Sequence, residues 1–338
     1  MVSNKSRIVV AGSGSIGCYV GGSLVAAGRA VCFLTRPRTE AKLREAGLKV
    51  IDLDGTQQLI PHHEFELSSD PAVAFADADI VLITVKSGAT EEMAGLAAKH
   101  APAGAIIVSL QNGVGNTEIL RRILPEGTVV IAGMVPFNVV LSDNSAEPLT
   151  VRRTTQGTVL IDKVLAELPR VLSVPGLPVQ AHPDIEGVLW GKLLMNLNNA
   201  PNALSNLPLA EQLADRKWRQ LVADQMSEAL NIMTAHGIEP AKIQGVKPAL
   251  LPWILRLPNF LFRVVARKML AIDPRARSSM WEDFARGRPT EVDYLQGVII
   301  QMAREKGLSA TLARKVLSCV KQAEGKPLRS HSIEEIRS

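Results

Sequence analysis

The chain has 338 residues, 46% of them hydrophobic and 21% charged. One compact core usually stops growing at roughly 250 to 300 residues, so two domains of a folded protein are expected. The formal charge of +5 is spread along the chain without a basic stripe interleaved with aromatics, which excludes a dedicated nucleic-acid binder and suits a small anionic ligand. Cys18, Cys32 and Cys319 stand too far apart for a disulfide framework or a CxxC metal or redox motif, so reduced, buried thiols and no metal are expected. The polar residues 1–7 lead straight into a strand-like run, leaving no room for a signal peptide. No apolar run reaches the roughly 18 residues of a membrane span. A cytoplasmic location is the resulting expectation.

From residue 7 onward short β-branched runs alternate with helix-like stretches, the pattern of an α/β domain built on a doubly wound parallel sheet. The spacing predicts a first strand over 8–11 and a helix over 16–27, joined by Gly12, Ser13, Gly14, Ser15, Ile16 and Gly17, which read GSGSIG. In that setting the first glycine permits a tight turn, the second lets backbone approach a pyrophosphate, and the third lets helix pack on strand. The helix start adds unsatisfied N–H groups and a positive dipole end. Dinucleotide binding is the reading, with a ligand-free glycine turn as its alternative.

A second strand over 30–35 ends in Thr35, Arg36, Pro37 and Arg38, without the acidic residue that NAD-preferring folds place on the ribose 2′-hydroxyl. A guanidinium fork there holds a 2′-phosphate. NADP(H) is therefore the expected cofactor, read by Arg36 with Arg38 assisting, unless both are merely solvated. Residues 48–61 read as a strand pair turning at Asp54 and Gly55. The runs 79–85, 105–110 and 128–134 are near-continuously apolar, as strands covered on both faces are. Two loops leave such strand ends, one carrying Lys86 and the other Gln111, Asn112 and Gly113, where open α/β sheets bind ligands. Strands over 149–153 and 158–161, with Gly157 in the turn between them, close a first domain of 1–182.

The remaining 183–338 read as an all-α domain broken by prolines, with helices over 185–198, 209–236, a punctuated 240–275, 279–286, 292–306 and 310–324. Lys192 and Asn196 are four residues apart and share a helical face. Ketone reduction needs a proton donor at the carbonyl oxygen, and an ammonium group can polarise and protonate it. The plainer alternative is a snorkelling surface lysine. Within 252–271, Trp253, Phe260 and Phe262 accompany Arg256, Arg263, Arg267 and Lys268. A basic amphipathic helix can lie on an anionic membrane, but domain packing or a dimer contact is expected here, and no membrane partner. Ser278 or Ser279 suits a helix cap, and Thr290 suits one before a helix starting near Glu291.

In order and spacing, GSGSIG, Arg36, the TVK ending at Lys86, the LQNG containing Asn112, the LWGKLLMN run through Lys192 and Asn196, and SSMWEDFARGRPTEVDYLQG resemble the ketopantoate reductase family. The resemblance spans nearly the whole chain and implies NADPH-dependent reduction of 2-dehydropantoate, on the route to pantothenate and coenzyme A. It implies Lys192 as general acid and Glu291 positioning it or binding substrate, with Asn196, Ser279, Asn112 and Asn199 on substrate polar groups. Lys86 would contact cofactor, as would Asn112 and Glu291. Where the family commonly carries a second asparagine, four residues beyond Asn196, this chain has Ala200. Asn199 stands one residue early, about 100° around a helix, and could take over only where the helix ends, for which Pro201 gives grounds. This departure, and the 243–273 segment, keep open a reductase of a bulkier or less hydroxylated 2-oxo acid, or an NADPH-binding protein without turnover. Trp218, Trp253 and the final helices would suit a homodimer.

Overall fold

The computed structural model describes residues 2–144, 147–242, 245–267 and 275–338. Ile243, Lys268, Ala271 and Asp273, which belong to the segments read above, lie outside them. The chain divides into two compact units, Met1–Ile185 and Glu186–Ser338.

In the first unit the elements run β1 (Ile8–Ala11), α1 (Ser15–Ala26), β2 (Val31–Leu34), α2 (Pro37–Ala46), β3 (Leu48–Ile51), β4 (Gln57–Ile60), β5 (Glu66–Ser68) and α3 (Pro71–Phe75). They continue through β6 (Ile80–Ile83), α4 (Thr90–His100), β7 (Ile106–Ser109), α5 (Asn116–Ile123), β8 (Val130–Met134), β9 (Val139–Ser142), β10 (Leu149–Arg153), β11 (Val159–Asp162), α6 (Leu168–Leu172) and β12 (Val179–His182). The main sheet has the order β12-β11-β8-β7-β6-β1-β2-β5 and is parallel except where β11 meets β8. Strands β1, β2 and β6 are apolar at every position because both faces are covered. Ile8, Val10, Phe33 and Leu82 enter one core, while Val9, Ala11, Leu34, Val81 and Ile83 enter the other. That alternation within unbroken apolar runs is what made these strands readable.

The strands expected over 149–153 and 158–161 are present, as β10 and β11, but they belong to different sheets. β10 joins a second sheet of order β4-β3-β10-β9, whereas β11 pairs with β8 and β12 in the main sheet. Gly157, at φ +147° with an added Cβ only 2.4 Å from Pro136 Cγ, turns the chain away there. The buried guanidinium of Arg153 takes up the carbonyls this leaves, donating to Thr155 O at 2.9 Å, Gly157 O at 2.7 Å and Gly176 O at 2.8 Å. Strand pairing would otherwise have used such groups.

The second unit is helical: α7 (Ile185–Asn196), α8 (Asn199–Ser205), α9 (Leu209–Ala214), α10 (Arg216–Ala235), α11 (Leu251–Arg256), α12 (Asn259–Val265), α13 (Ser279–Ala285), α14 (Gln296–Glu305), α15 (Thr311–Ala323) and α16 (Ile333–Arg337). The single helix expected over 209–236 is two, because Asp215 leaves the helical conformation and caps α10, accepting from Lys217 N at 2.8 Å. The helix expected from 292 opens as a 3₁₀ turn, Val292–Tyr294. The last helix was not foreseen, although Ser332 and Glu335 form a reciprocal capping box at its start, a sequence-level signature.

Arg219 on α10 is fully buried. Its guanidinium donates to Leu213 O, Ala214 O, Leu255 O, Leu257 O and Asn259 Oδ1 at 2.8 to 3.1 Å and lies 4.2 Å from the centroid of the Phe262 ring. It thereby serves the carbonyls at the ends of α9 and α11 and fastens both to α10. Arg219→Ala is expected to lose about 3–5 kcal/mol in urea unfolding, since buried acceptors are left without donors. Arg219→Lys should recover little of it, because an ammonium cannot reproduce the planar fork; near-complete rescue by lysine would refute this account.

Candidate active site

In the first unit, β7, β6, β1 and β2 are consecutive and parallel, so the loops after them leave one edge of the sheet. Gly12 follows β1, Arg36 follows β2, Lys86 follows β6 and Asn112 follows β7. β1 lies where the strand order reverses, the position at which open α/β sheets take ligands.

The three glycines of the first loop differ in what surrounds them. Gly12 sits at φ +117°, and an added Cβ would lie 2.9 Å from Val85 N. At Gly17 that atom would lie 1.9 Å from Gly12 O, whereas beside Gly14 there is open space. The first and third are thus required by packing, and the second leaves backbone accessible to a ligand. Thr84 Oγ1 fixes the turn by donating to Gly12 O at 2.6 Å, and the Ser13 and Thr35 hydroxyls hydrogen-bond to each other. α1 begins at Gly14 without a side-chain cap and without an acidic residue in its first turn, leaving its N–H groups to an anion.

Arg36 is exposed and occupies the N-cap position of α2, ahead of Pro37, without a side-chain capping hydrogen bond. Arg38 is almost wholly exposed and lies 3.8 Å from Asp143, an acidic neighbour that draws it partly away from a phosphate role. Lys86 is exposed, and the Asn112 side chain is half-buried. The loops bearing them are knitted together below: Ser87 Oγ donates to Asn112 O at 2.8 Å and Asn116 Nδ2 to the same oxygen at 2.8 Å. Gln111 turns inward, donating to Val85 O at 3.1 Å and Thr90 Oγ1 at 2.7 Å, which makes it a support for the loops. Thr84 stood in the quoted TVK run without a role of its own, and Ser87, Thr90 and Asn116 were not singled out from the sequence; Ser87, next to Lys86, had that neighbour as its available signal.

In the second unit, Lys192 is mostly buried on α7. Burial pulls its amine down from 10.5 to about 8, and the Glu291 carboxylate opposes that shift. Glu291 precedes the 3₁₀ turn and accepts from Tyr294 N at 2.9 Å through its carbonyl. The preceding Thr290 is anchored to Glu324, donating through N at 2.9 Å and through Oγ1 at 2.6 Å. Its hydroxyl also accepts from Val292 N at 3.3 Å, so the expected capping function is shared with an anchoring one.

Asn196 is the last residue of α7, and α8 begins at Asn199. The helix therefore ends between Asn196 and Asn199, so the phase of Asn199 relative to Asn196 is not that of one continuous helix. Ala200 itself is fully buried. Gln296, also fully buried, donates to Leu197 O at 3.0 Å within the break. Ser278 caps α13, accepting from Trp281 N at 3.2 Å and donating to Asn199 O at 3.0 Å. Asn202 Oδ1 accepts from Ser278 N at 2.9 Å. Of the two candidate serines, Ser278 is committed to this joint, and Ser279 is exposed in the first turn of α13. Asn202 was missed, and Gln296, although within the quoted SSMWEDFARGRPTEVDYLQG run, was given no role, because nothing in the sequence distinguishes a buried amide from an exposed one.

The glycine geometry separates two substitutions. Gly17→Ala must displace backbone and is expected to lose about 1–3 kcal/mol as well as nucleotide affinity. Gly14→Ala should leave the unfolding midpoint unchanged and weaken only nucleotide binding, measured by fluorescence titration; a stability loss at Gly14 equal to that at Gly17 would contradict the assignment.

Comparison with known proteins is consistent across both units. Residues 8–165 match the family described as ketopantoate reductase PanE/ApbA, and residues 184–324 match its C-terminal part. The chain is 27% identical to the 2-dehydropantoate 2-reductase of Halobacterium salinarum, covering 94% of this chain and 99% of that one. It is also 27% identical to the enzyme of the same name from Archaeoglobus fulgidus, covering 94% and 98%. Among solved structures it resembles a PanE/ApbA family ketopantoate reductase from Ralstonia eutropha, with TM-score 0.77, 28% identity, and 94% and 98% coverage. The fold is shared with a D-mandelate dehydrogenase solved with NADH and anilino(oxo)acetate, at TM-score 0.77, 19% identity, and 94% and 98% coverage. The chain belongs to the ketopantoate reductase family and is an oxidoreductase that uses a nicotinamide cofactor.

Proposed function

We propose that this protein reduces a 2-oxo acid with NADPH, with 2-dehydropantoate as the leading substrate and Lys192 as the proton donor. The observation that carries this reading is the Lys192 amine, held near 8 by burial with Glu291 opposing. Support for the substrate comes from the relatives named 2-dehydropantoate 2-reductase. Support for NADPH comes from Arg36 at the end of β2, with no carboxylate in the 35–38 run.

NADPH, when bound, supplies the hydride that goes to the carbonyl carbon. Backbone N–H groups at the start of α1 receive the pyrophosphate, Arg36 the 2′-phosphate, and Lys86 and Asn112 line the same edge of the sheet. Asn196, Asn199, Asn112 and Ser279 hold the substrate's polar groups. The Lys192 ammonium draws electron density toward the carbonyl oxygen and delivers a proton to it, so the 2-hydroxy acid leaves with one hydride and one proton added. A donor with a pKa near 8 is mostly protonated at neutral pH and still releases its proton readily, whereas one near 10.5 would be a poorer acid. Glu291 keeps the amine from falling further. A reductase of a less hydroxylated oxo acid is the second reading, favoured by the apolar, fully buried Ala200.

NADPH oxidation across a panel of 2-oxo acids tests the substrate, and Lys192→Ala should lower kcat by about 10² to 10⁴ on whichever acid is turned over. Binding of NADPH without turnover of any panel member would end the reductase reading. Because the protonated amine is the active form, kcat for reduction should fall as pH rises through about 8. Glu291→Gln removes the group that raises the Lys192 pKa, so that limb should move to lower pH; an unmoved limb would refute the electrostatic role of Glu291.

Arg36→Glu should lower kcat/KM for NADPH about 10- to 100-fold, the worth of a charged hydrogen-bonding fork, while NADH turnover is retained or improved. Equal losses with both cofactors would show that Arg36 does not read the 2′-phosphate.

A further inference from the structure

Residues 240–272 carry six basic side chains, Lys242, Lys247, Arg256, Arg263, Arg267 and Lys268, and no acidic one, Glu239 and Asp273 standing immediately outside. Within this stretch the apolar residues do not all turn inward. On α12 and just beyond it, Phe262 and Ala266 are buried. The outward side is apolar as well: Phe260 is 69% exposed, Val264 75% and Val265 55%, and Trp253 from α11 adds a side chain 63% exposed. A helix facing water presents polar residues on that side. Phe260, Arg263 and Val264 fall at i, i+3 and i+4, so aromatic, cation and aliphatic share one face.

The arginines divide in their use. Arg256 donates to Asp224 Oδ1 at 2.8 Å and Ser227 Oγ at 3.0 Å, which commits it to α10. Arg263 and Arg267 are exposed, and neither forms an ion pair with a described residue. An outward aromatic and aliphatic stripe flanked by guanidinium groups that form no ion pair among the described residues fits an interface that is apolar below and anionic at its rim. A second copy of the chain fits poorly. A two-fold contact sets the same patch against itself, guanidinium facing guanidinium, with no acidic residue in the segment to offset it. No described helix is long and apolar enough to cross a membrane, so attachment would be at the surface.

We propose that the α11–α12 face docks peripherally on an anionic phospholipid surface, with Trp253, Phe260 and Val264 entering the headgroup boundary and Arg263 and Arg267 pairing with lipid phosphates. The full chain should float with vesicles of phosphatidylglycerol mixed into phosphatidylcholine, and not with pure phosphatidylcholine. Added salt should weaken the association as it screens the charges. Phe260→Ser with Val264→Ser, and separately Arg263→Gln with Arg267→Gln, should each lower the partition coefficient on the order of ten-fold, with thermal midpoint and circular dichroism unchanged. Absence of binding to the anionic vesicles would overturn the proposal, as would binding that neither double variant diminishes. A solution dimer that dissociates in the Phe260 and Val264 variant would overturn it too, by showing that a second copy covers the face.

Discussion

An ammonium group held largely out of water, with one carboxylate to favour its charge, is the constraint around which the second unit is arranged. Burial lowers the Lys192 pKa and Glu291 raises it, and the outcome near 8 means desolvation wins without abolishing the charge. Such a balance depends on where the two backbones are held. Gln296 takes Leu197 O at the end of α7, while Glu324 takes both the amide and the hydroxyl of Thr290, immediately before Glu291. A neutral amide hydrogen bond on one side and a carboxylate acceptor on the other thus position the charged pair. The proposed proton transfer depends on that positioning, because Coulomb interactions change steeply with distance in a low-dielectric setting.

Both units use a buried arginine to serve irregular backbone. Arg153 gathers the carbonyls of 155, 157 and 176 with its guanidinium 4.3 Å from the Phe137 ring centroid, and Arg219 does the same for the ends of α9 and α11 over Phe262. Carbonyl oxygens that neither ladder nor helix satisfies need a donor when buried, and five N–H groups on a planar fork can serve several at once. Arg153 additionally lies 3.7 Å from Asp52, whose carboxylate accepts from the Tyr19 hydroxyl at 2.7 Å. The second sheet is tied in this way to α1, the helix that starts at the glycine loop.

Family membership and the site's chemistry rest on different observations. Similarity extends along 94% of the chain and accounts for the order of motifs from Gly12 to Glu291. The departure at Ala200 bears on substrate choice alone. It falls in a region where α7 has already ended and α8 begun, so the neighbouring amide of Asn199 is presented from a different helix.

The central strands, the glycine loop, the acid-free end of β2 and the residue types of the candidate site were all legible in the order of residues. Each of these follows from local chemistry: strands buried on both faces must be apolar throughout, and a turn with φ above zero needs glycine. That order did not determine the short, partly exposed strands β9 and β12, the separation of β10 from β11, or the break between α7 and α8. Nor could it show that the outward side of α12 is apolar, since Phe260 and Phe262 look alike until packing buries one and exposes the other. That Asn202 holds Ser278 across 76 residues and Gln296 holds Leu197 across 99 emerges from folding alone. The physical reason is that a polar side chain acquires its partner from contacts distant in sequence, and no local pattern records them.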